Sequence, residues 1–208
     1  MNTVIHRRRA RRGDGRLLRE EIIAAAERLL IERGGEDAVS MRAIADAVGV
    51  TPPSIYLHFA DKEELFLAVC DARFEELTRR SAEAAAGATD PVDEIRRRGR
   101  AYVQFGLDNP EQYRALFLLP KPRSVTPEEL AKSACLLELV EAVGRGIDAG
   151  LVAADDPILA AVGLWAAVHG LTALLITNHE LPGLTVDVLV DHVLDTTFLG
   201  LAPRPPAS

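Results

Sequence analysis

Apolar residues recur with the period of an α-helix along most of the chain. Between residues 16 and 33, leucine, isoleucine and alanine fall three or four positions apart, so one face of a helix is apolar. Gly34 and Gly35 then end this first predicted helix. No stretch alternates apolar and polar residues over the length of a strand. The pattern therefore predicts an all-α protein without a sheet.

Helix starts in the second half of the chain are marked by a capping residue followed directly by proline. Proline suits the first helical position, because the N–H that it lacks would have no partner within the helix there. The pairs are Asp90-Pro91, Asn109-Pro110, Thr126-Pro127 and Asp156-Pro157. They predict helices over residues 91–108, 110–118, 127–148 and 157–178, and the apolar pattern predicts a last helix over 185–199.

Three helices separated by tight turns are predicted to start within residues 39–67. Ser40, Thr51 and Asp61 each stand where a side-chain oxygen caps a helix, and the helices begin at residues 41, 52 and 62. Gly49 ends the first helix, and the second is about two turns long and ends near Phe59. A helix, a glycine-containing turn and a second helix form the helix-turn-helix motif, whose second helix enters the major groove of DNA.

The residue types in this segment follow a known pattern. The runs that carry it are Ile44-Ala45, Gly49-Val50-Thr51, Ile55-Tyr56-Leu57-His58-Phe59 and Asp61-Lys62-Glu63-Glu64-Leu65. In type and spacing they resemble the N-terminal domain of the TetR family of transcriptional regulators, over about residues 17–67. A second resemblance covers residues 109–117 and 164–170, which are similar to a subgroup of TetR C-terminal domains with tryptophan, three residues and His-Gly on a late helix.

The resemblance implies an N-terminal three-helix helix-turn-helix domain followed by a C-terminal helical bundle that dimerises. The expected division is a disordered arginine-rich arm over residues 1–15, a DNA-binding domain over 16–61, an effector-binding and dimerisation domain over 62–202 and a disordered tail over 203–208. The function that the resemblance implies is that of a ligand-responsive, sequence-specific transcriptional regulator. Repression is the expected mode: a homodimer binds a palindromic operator in double-stranded DNA, and a small-molecule effector releases it.

The candidate DNA-binding residues lie in and beside the two helices of the motif. They are Ser40, Arg42, Thr51, Pro52, Pro53, Ser54, Tyr56, Leu57, His58 and Lys62. The resemblance assigns phosphate contacts to Tyr56, His58 and Lys62, whereas Ser40 and Arg42 are placed to reach a phosphate or a guanine edge. A tyrosine packed on the first helix and a solvated surface histidine are the alternatives for Tyr56 and His58. The two prolines depart from the pattern, because they remove two backbone N–H donors from the first turn of the recognition helix.

The candidate effector-binding residues are aromatic and imidazole side chains of the second half, since a ligand pocket needs apolar walls with a few polar groups. They are Tyr102, Phe105, Tyr113, Phe117, Trp165 and His169. Trp165 and His169 are four positions apart and share a helix face. Each of the six is otherwise an ordinary core residue. His169 either makes one structural hydrogen bond or, if it faces a cavity, provides the polar anchor for a ligand.

The last two long helices are expected to form the dimer interface, as a four-helix arrangement across two subunits. Their apolar surface is assigned to Leu159, Val162, Ala166, Leu174, Leu184, Val186, Val188, Leu189, Val193, Leu194 and Phe198. Residues 157–178 carry no formal charge and have about the length of a membrane span. Because this segment is single and rich in alanine and glycine, it is interpreted instead as a helix buried on most sides, at a subunit interface.

Charge is divided unevenly along the chain of 208 residues, whose formal net charge is −7. Residues 1–19 hold seven arginines and one acidic residue, so a basic arm precedes an acidic body. This arm either enters a flanking minor groove or adds non-specific affinity as a solvated tail. The first residues carry charge without a following apolar segment, and the two cysteines are too few for a disulfide scaffold, so a cytoplasmic protein is expected.

An enzyme is the main alternative from another functional class, and the sequence gives it little support. There is no His-Glu-x-x-His motif, phosphate-binding glycine loop or nucleophile motif. An irregular cluster near the end is interpreted as a solvated helix face rather than a metal site: His179, Glu180, Asp187, Asp191 and His192. No cofactor and no metal are expected. An architectural DNA-binding protein without an effector is a third alternative, which the compact recognition helix disfavours.

Overall fold

The computed structural model describes residues 14–114, 117, 134–177 and 183–201. These residues are mostly helical and include no strand, which confirms the all-α prediction. The elements are α1 (Asp14–Arg33), a 3₁₀ turn (Glu36–Ala38), α2 (Met41–Val48), α3 (Pro52–Tyr56), α4 (Lys62–Ala85), α5 (Pro91–Asp108), α6 (Pro110–Tyr113), α7 (Ala134–Asp148), α8 (Pro157–Thr177) and α9 (Val186–Leu201).

The helix starts predicted at residues 41, 52, 62, 91, 110 and 157 agree with the structure. This agreement has a local cause, since a cap acts within the first turn of its own helix. The carboxylate of Asp90 accepts hydrogen bonds from the N–H groups of Val92 and Asp93, both at 2.9 Å. Asp156 accepts in the same way at the start of α8. The start predicted at Thr126-Pro127 lies outside the described residues, as do the arm up to residue 13 and the tail after 201.

Two helix ends differ from the prediction. α4, whose apolar pattern predicts an end near Arg80, continues to Ala85, and α3 ends at Tyr56 rather than near Phe59. After α3, the N–H groups of His58 and Phe59 both donate to the carbonyl of Ile55, at 2.8 and 3.0 Å. The bond from His58 to Ile55 spans three residues, as in a 3₁₀-helix, and tightens the last turn. The α-helix therefore ends before the apolar pattern does.

Contacts between residues divide the chain into two compact units, and α4 contributes to both. The first unit comprises Met1–Arg73 and Glu111–Leu119, and the second comprises Phe74–Pro110 and Pro120–Ser208. The border between the units thus falls inside α4, whereas the domain border predicted from the sequence lies between residues 61 and 62. The functional domain bounds stay a prediction.

The first unit has an apolar core to which α1, α2, α3 and α4 each contribute. Ile22, Ile44, Ile55 and Leu65 come from these four helices in turn, and each is 0% exposed. Phe59, just after α3, is 1% exposed. Full burial of such a side chain contributes about 1.5 to 3 kcal/mol. The buried isoleucine of α3 fixes which side of this short helix faces solvent.

The second unit is built around α8, which packs against α5, α7 and α9. The inner face of α8 consists of Ala160, Ala161, Leu164, Val168, Leu171, Thr172, Leu175 and Ile176. The hydroxyl of Thr172 donates to the carbonyl of Val168 at 2.7 Å, so this buried polar group is satisfied inside its own helix. By length and composition alone α8 is able to cross a membrane. One such helix is weak evidence, because the core helix of a protein with no membrane contact passes the same test.

The outer face of α8 is exposed in the single chain, so burial of this helix on most sides depends on a subunit interface and stays a prediction. Most of the exposed positions of α8 run along one stripe, which includes Leu159, Val162, Gly163, Ala166, Gly170 and Leu174. Leu159 is 71% exposed. On α9, Leu194 and Phe198 were expected at the dimer interface but are buried within the unit, at 2% and 9% exposure. Together with Val190 they recur every four residues, which turns this face of α9 towards the core.

Candidate nucleic-acid interface

α2 is held by caps at both of its ends. The hydroxyl oxygen of Ser40 accepts a hydrogen bond from the N–H of Ala43 at 3.1 Å. Gly49 takes the left-handed conformation, with φ 76° and ψ 34°, and its N–H donates to the carbonyl of Ala45 at 2.9 Å. A side chain in this conformation costs about 1 to 2 kcal/mol, which explains a glycine here. Ser40 and the candidate Arg42 are both exposed at the start of α2.

Thr51 occupies the N-cap position of α3, but its side chain makes no capping hydrogen bond to the backbone. Its hydroxyl lies 3.0 Å from the hydroxyl of Ser54 instead. The prediction that Thr51 caps the recognition helix is therefore right in position and wrong in interaction. The reason is that Pro53 has no N–H, while the N–H of Ser54 already donates to the carbonyl of Thr51 at 2.9 Å.

Pro53, Tyr56 and Leu57 form the outward face of the recognition helix. All three are exposed, and Tyr56 and Leu57 follow Pro53 by three and four positions, on the side opposite the buried Ile55. Tyr56 is 52% exposed and Leu57 is 85% exposed. Pro52, by contrast, is half-buried. The structure thus places three of the predicted DNA-binding residues on one solvent-facing surface.

The start of α1 lies beside the end of the recognition helix. A Cβ atom on Gly15 would lie 4.0 Å from Cε1 of His58. The guanidinium of Arg19 sits over the ring of Phe59, with Cζ 5.0 Å from the ring centroid. His58 is half-buried, and its choice between a phosphate contact and a solvated surface position stays a prediction. These contacts were missed at the sequence level, because nothing in the local pattern brings residues so far apart in the chain together.

Lys62 begins α4, and its ammonium group is held within the first unit. Nζ donates to the backbone carbonyl of Glu36 at 2.8 Å and lies 5.9 Å from the ring centroid of Phe66. Burial raises the pKa of the Glu36 carboxyl, and the positive charge of Lys62 offsets part of this. An ammonium has three N–H donors, of which the bond to Glu36 uses one. Glu36 was missed as a partner, because the acceptor is a backbone carbonyl and its residue type gives no signal.

Asp61 caps α4, as the sequence predicts. Its Oδ1 accepts from the N–H of Glu64 at 2.8 Å, while Oε2 of Glu64 accepts from the N–H of Ala60 at 2.5 Å. The reciprocal bond therefore reaches the residue before the cap rather than the cap itself. These bonds fix the start of α4 and with it the position of Lys62.

Three of the predicted effector-binding residues meet in the second unit. The hydroxyl of Tyr102 lies 2.9 Å from Nδ1 of His169. The ring of Trp165 lies beside the imidazole, with the ring centroids 5.4 Å apart. Burial lowers the pKa of His169, which favours the neutral imidazole. The structural hydrogen bond expected for this histidine is present.

The other three candidates have ring contacts of their own. Tyr113 and Phe117 belong to the first unit and pair with each other, their ring centroids 4.8 Å apart. Phe105 is 1% exposed in the second unit, with the guanidinium of Arg80 over its ring at 5.6 Å. The assignment of all six residues to an effector site stays a prediction.

A groove of about 450 Å³ lies in the second unit, between the end of α4, α5 and the start of α9. Arg97 and Arg100 from α5 line it on one side, and Asp187 and Asp191 from α9 line it on the other. Arg100 forms an ion pair with Asp191. None of the six predicted effector-binding residues lines this groove.

A metal site in the acidic and histidine cluster near the end of the chain has no support among the residues that the structure describes. Among them there is no group of three or more His, Cys, Asp or Glu side chains able to hold a metal ion. His179 and Glu180 lie outside those residues.

Two known families match this chain. Residues 22–69 match the family described as bacterial regulatory proteins, tetR family. Residues 95–197 match the family described as tetracyclin repressor-like, C-terminal domain. The first match contains the whole of α2 and α3, and the second contains α7 and α8 together with most of α5 and α9.

Similar proteins include both an activator and a repressor of transcription. The HTH-type transcriptional activator FasR of Mycolicibacterium smegmatis is 30% identical, over 94% of this chain and 89% of its own length. The HTH-type transcriptional repressor AcnR of Corynebacterium efficiens is 33% identical, over 67% of this chain and 71% of its own. Among solved structures, a TetR family transcription regulator from Marinobacter aquaeolei has a TM-score of 0.74 at 23% identity, covering 93% of this chain and 98% of its own. The chain therefore belongs to the TetR family of bacterial transcriptional regulators, with a helix-turn-helix DNA-binding domain.

Proposed function

We propose that this regulator binds a palindromic operator as a homodimer and represses transcription until a small molecule releases it. The observation that carries the DNA-binding part is the outward face of the recognition helix, where Tyr56 and Leu57 are exposed while Ile55 is fully buried beneath them. A helix so anchored is rigid and presents its free face to the major groove.

The phosphate contacts are assigned to residues around this face. Tyr56 is about half exposed, and His58 follows two positions later in the chain. Lys62 stands at the first turn of α4, where backbone N–H groups already favour an anion. Ser40 and Arg42 extend the contact to the start of α2. The arginine-rich arm over residues 1–15 either enters a flanking minor groove or adds non-specific affinity as a solvated tail.

The homodimer is proposed to form through the outer face of α8 together with exposed residues before and in α9. The α8 stripe is apolar, contains Gly163, Ala166 and Gly170, and carries no charge from Pro157 to Thr177. Small residues let two helices approach closely, and a two-fold axis makes the same patch complementary to itself. Val188 is 55% exposed on α9, and Leu184 is 51% exposed just before it. Two subunits related in this way would set their recognition helices about one DNA turn, ~34 Å, apart.

The effector site is proposed around Tyr102, Trp165 and His169. These three side chains supply apolar walls and a polar pair within one unit. A ligand that favours one of two positions of α4 would shift the population towards a dimer whose recognition helices no longer match the groove spacing. A coupling of about 1 to 3 kcal/mol is typical of such switches.

Repression rather than activation, a cytoplasmic location and the lack of an enzymatic activity belong to the same proposal. The relative FasR is named an activator and the relative AcnR a repressor, so an experiment has to decide between repression and activation for this chain. A promoter carrying the operator, placed before a reporter gene, should lose expression when the protein is produced. A rise in expression would assign an activator instead.

The test of operator binding is the selection of bound sequences from random duplex DNA, followed by affinity for the winner. We expect a palindrome, with binding weakened in Tyr56→Ala and Lys62→Ala. Glu63→Ala, next to Lys62, is the matched control and should not weaken binding, because it removes a negative charge. Recovery of no sequence above non-specific background would overturn the proposal.

A further inference from the structure

The recognition helix carries none of the side chains that pair bidentately with a base edge. Arginine and lysine read guanine, and asparagine and glutamine read adenine, through two hydrogen bonds each. Residues 51–60 contain no arginine, lysine, asparagine or glutamine. The hydroxyls of Thr51 and Ser54 lie 3.0 Å apart and bond to each other, which uses part of the polar capacity of the first turn. Polar readout by this helix is therefore limited.

Apolar surface is what the helix offers instead. Leu57, at 85%, is the most exposed large apolar side chain in the described part of the chain. Pro53 lies four positions earlier on the same face and is also exposed. Leu57 follows the last residue of α3 with φ −74° and ψ −17°, so its backbone is still helical and its direction is fixed.

The major groove presents one apolar group to a reader, the methyl group on C5 of thymine. We propose that Leu57, with Pro53 beside it, reads thymine methyl groups, and that this contact carries the base specificity of the recognition helix. The inference rests on the proposed operator binding. It names the chemical group that is read, in place of the bidentate hydrogen bonds that the helix lacks.

The expected size of the effect follows from burial of one methyl group. Such a group contributes about 0.8 kcal/mol, which corresponds to about a fourfold change in affinity. Replacement of thymine by deoxyuridine removes only this methyl group and leaves the hydrogen-bonding edge of the base intact.

The probe is the duplex recovered by selection from random DNA, with each thymine replaced in turn by deoxyuridine. For the wild-type protein, one or two positions in each half-site should lose about fourfold in affinity. For Leu57→Ala, the same replacements should have no effect, while affinity for the unmodified duplex falls by a similar factor. Leu137→Ala, which alters a leucine that is 47% exposed on α7, is the matched control and should behave as wild type.

Three outcomes would overturn the inference while operator binding stands. They are half-sites without thymine, deoxyuridine duplexes that wild type binds as tightly as the parent, and an equal deoxyuridine loss in Leu57→Ala. Recovery of no specific duplex would overturn the proposed operator binding together with the inference. Because Leu57 makes no contribution to the core, Leu57→Ala should fold, and its circular dichroism spectrum checks this directly.

Discussion

Tyr56 and Tyr102 differ in exposure and in the partner of the hydroxyl group, and each belongs to a different unit. Tyr56 is 52% exposed on the recognition helix, whereas Tyr102 is 6% exposed and its hydroxyl lies 2.9 Å from Nδ1 of His169. A tyrosine exposed to this extent on the recognition helix is available to a phosphate. The buried Tyr102 instead links α5 to α8 through its hydrogen bond with His169.

Tyr56→Phe should weaken operator binding by about tenfold or more, because a hydrogen bond to a charged group contributes about 1.5 to 3 kcal/mol. The thermal midpoint should change little, since only the exposed hydroxyl is lost. Fluorescence anisotropy with labelled duplex measures the affinity. Tyr102→Phe is the control, and equal losses in the two variants would remove the assigned role of Tyr56.

Cys135 is a poor candidate for a redox sensor. Burial and the negative charge of Glu138 raise the pKa of its thiol to about 11. Since the thiolate is the reactive form, labelling of Cys135 at pH 7.5 in Cys70→Ser should be about 100-fold slower than that of a free cysteine. Mass spectrometry of iodoacetamide adducts over time gives the rate. Labelling of Cys135 at the rate of a free cysteine would show that burial does not suppress the reactivity of its thiol.

At the scale of single elements, local signals could be read from the sequence and long-range contacts could not. Ser40, Gly49 and Asp61 act within one turn of their own position, so their types alone predict where α2 and α4 begin or end. The bond from Lys62 to the carbonyl of Glu36 joins segments 26 residues apart, so it depends on the packed core. The same holds for Tyr102 and His169, which are 67 residues apart in the chain.

An ion cluster ties α5 to α7 within the second unit. Glu94 accepts from Arg98 at 3.0 Å and, with both oxygens, from Arg145 at 2.9 and 2.8 Å. Arg98 also donates to Glu138 at 2.6 Å and to the buried Ser81 at 3.3 Å. Burial alone would raise the pKa of Glu94, but the bonds from Arg145 and Arg98 outweigh it and hold this pKa below 4.5.

Glu94→Gln should lower the free energy of unfolding at pH 7 by about 1 to 3 kcal/mol. Because the folded-state pKa of Glu94 is depressed, its contribution is present above the ordinary value of 4.5 and is lost as the pH falls through the lower folded-state value. The difference between wild type and variant should therefore shrink below pH 4.5. Urea denaturation at several pH values measures it.

The matched control for that pH series is Glu83→Gln. Glu83 pairs with Arg79 one turn away, and both side chains are largely exposed, at 63% and 59%. A pair of this kind contributes about 0.5 kcal/mol or less. A difference for Glu94→Gln that stays constant as the pH falls to 3 would contradict the linkage.

At the scale of the whole molecule, the apolar stripe of α8 is the feature that a single chain leaves unexplained. It contains Leu159 at 71% exposure and Leu174 at 43%, separated by four turns of uncharged helix. A second copy of the chain, as in the proposed homodimer, would cover it. The sequence could predict this helix as apolar, but which of its faces is free depends on how α5, α7 and α9 pack against it.

Leu159→Glu should convert the dimer into a monomer, since a buried carboxylate without a partner costs several kcal/mol. Operator affinity should fall with it, because each subunit holds only one half-site. Sedimentation velocity at micromolar concentration measures the mass. Leu137→Glu alters an exposed leucine on α7 and should remain a dimer. An unchanged dimer in Leu159→Glu would place the interface elsewhere.

The spacing of half-sites gives the most direct test of the central claim that a two-fold dimer reads one palindrome through paired recognition helices. The measurement is the affinity for the selected palindrome and for a duplex with about five base pairs, half a helical turn, inserted at its centre. We predict that the insertion turns the half-sites to opposite faces of the DNA and reduces affinity to that of a single half-site. Unchanged affinity would contradict the claim, because it would mean that the half-sites are bound independently.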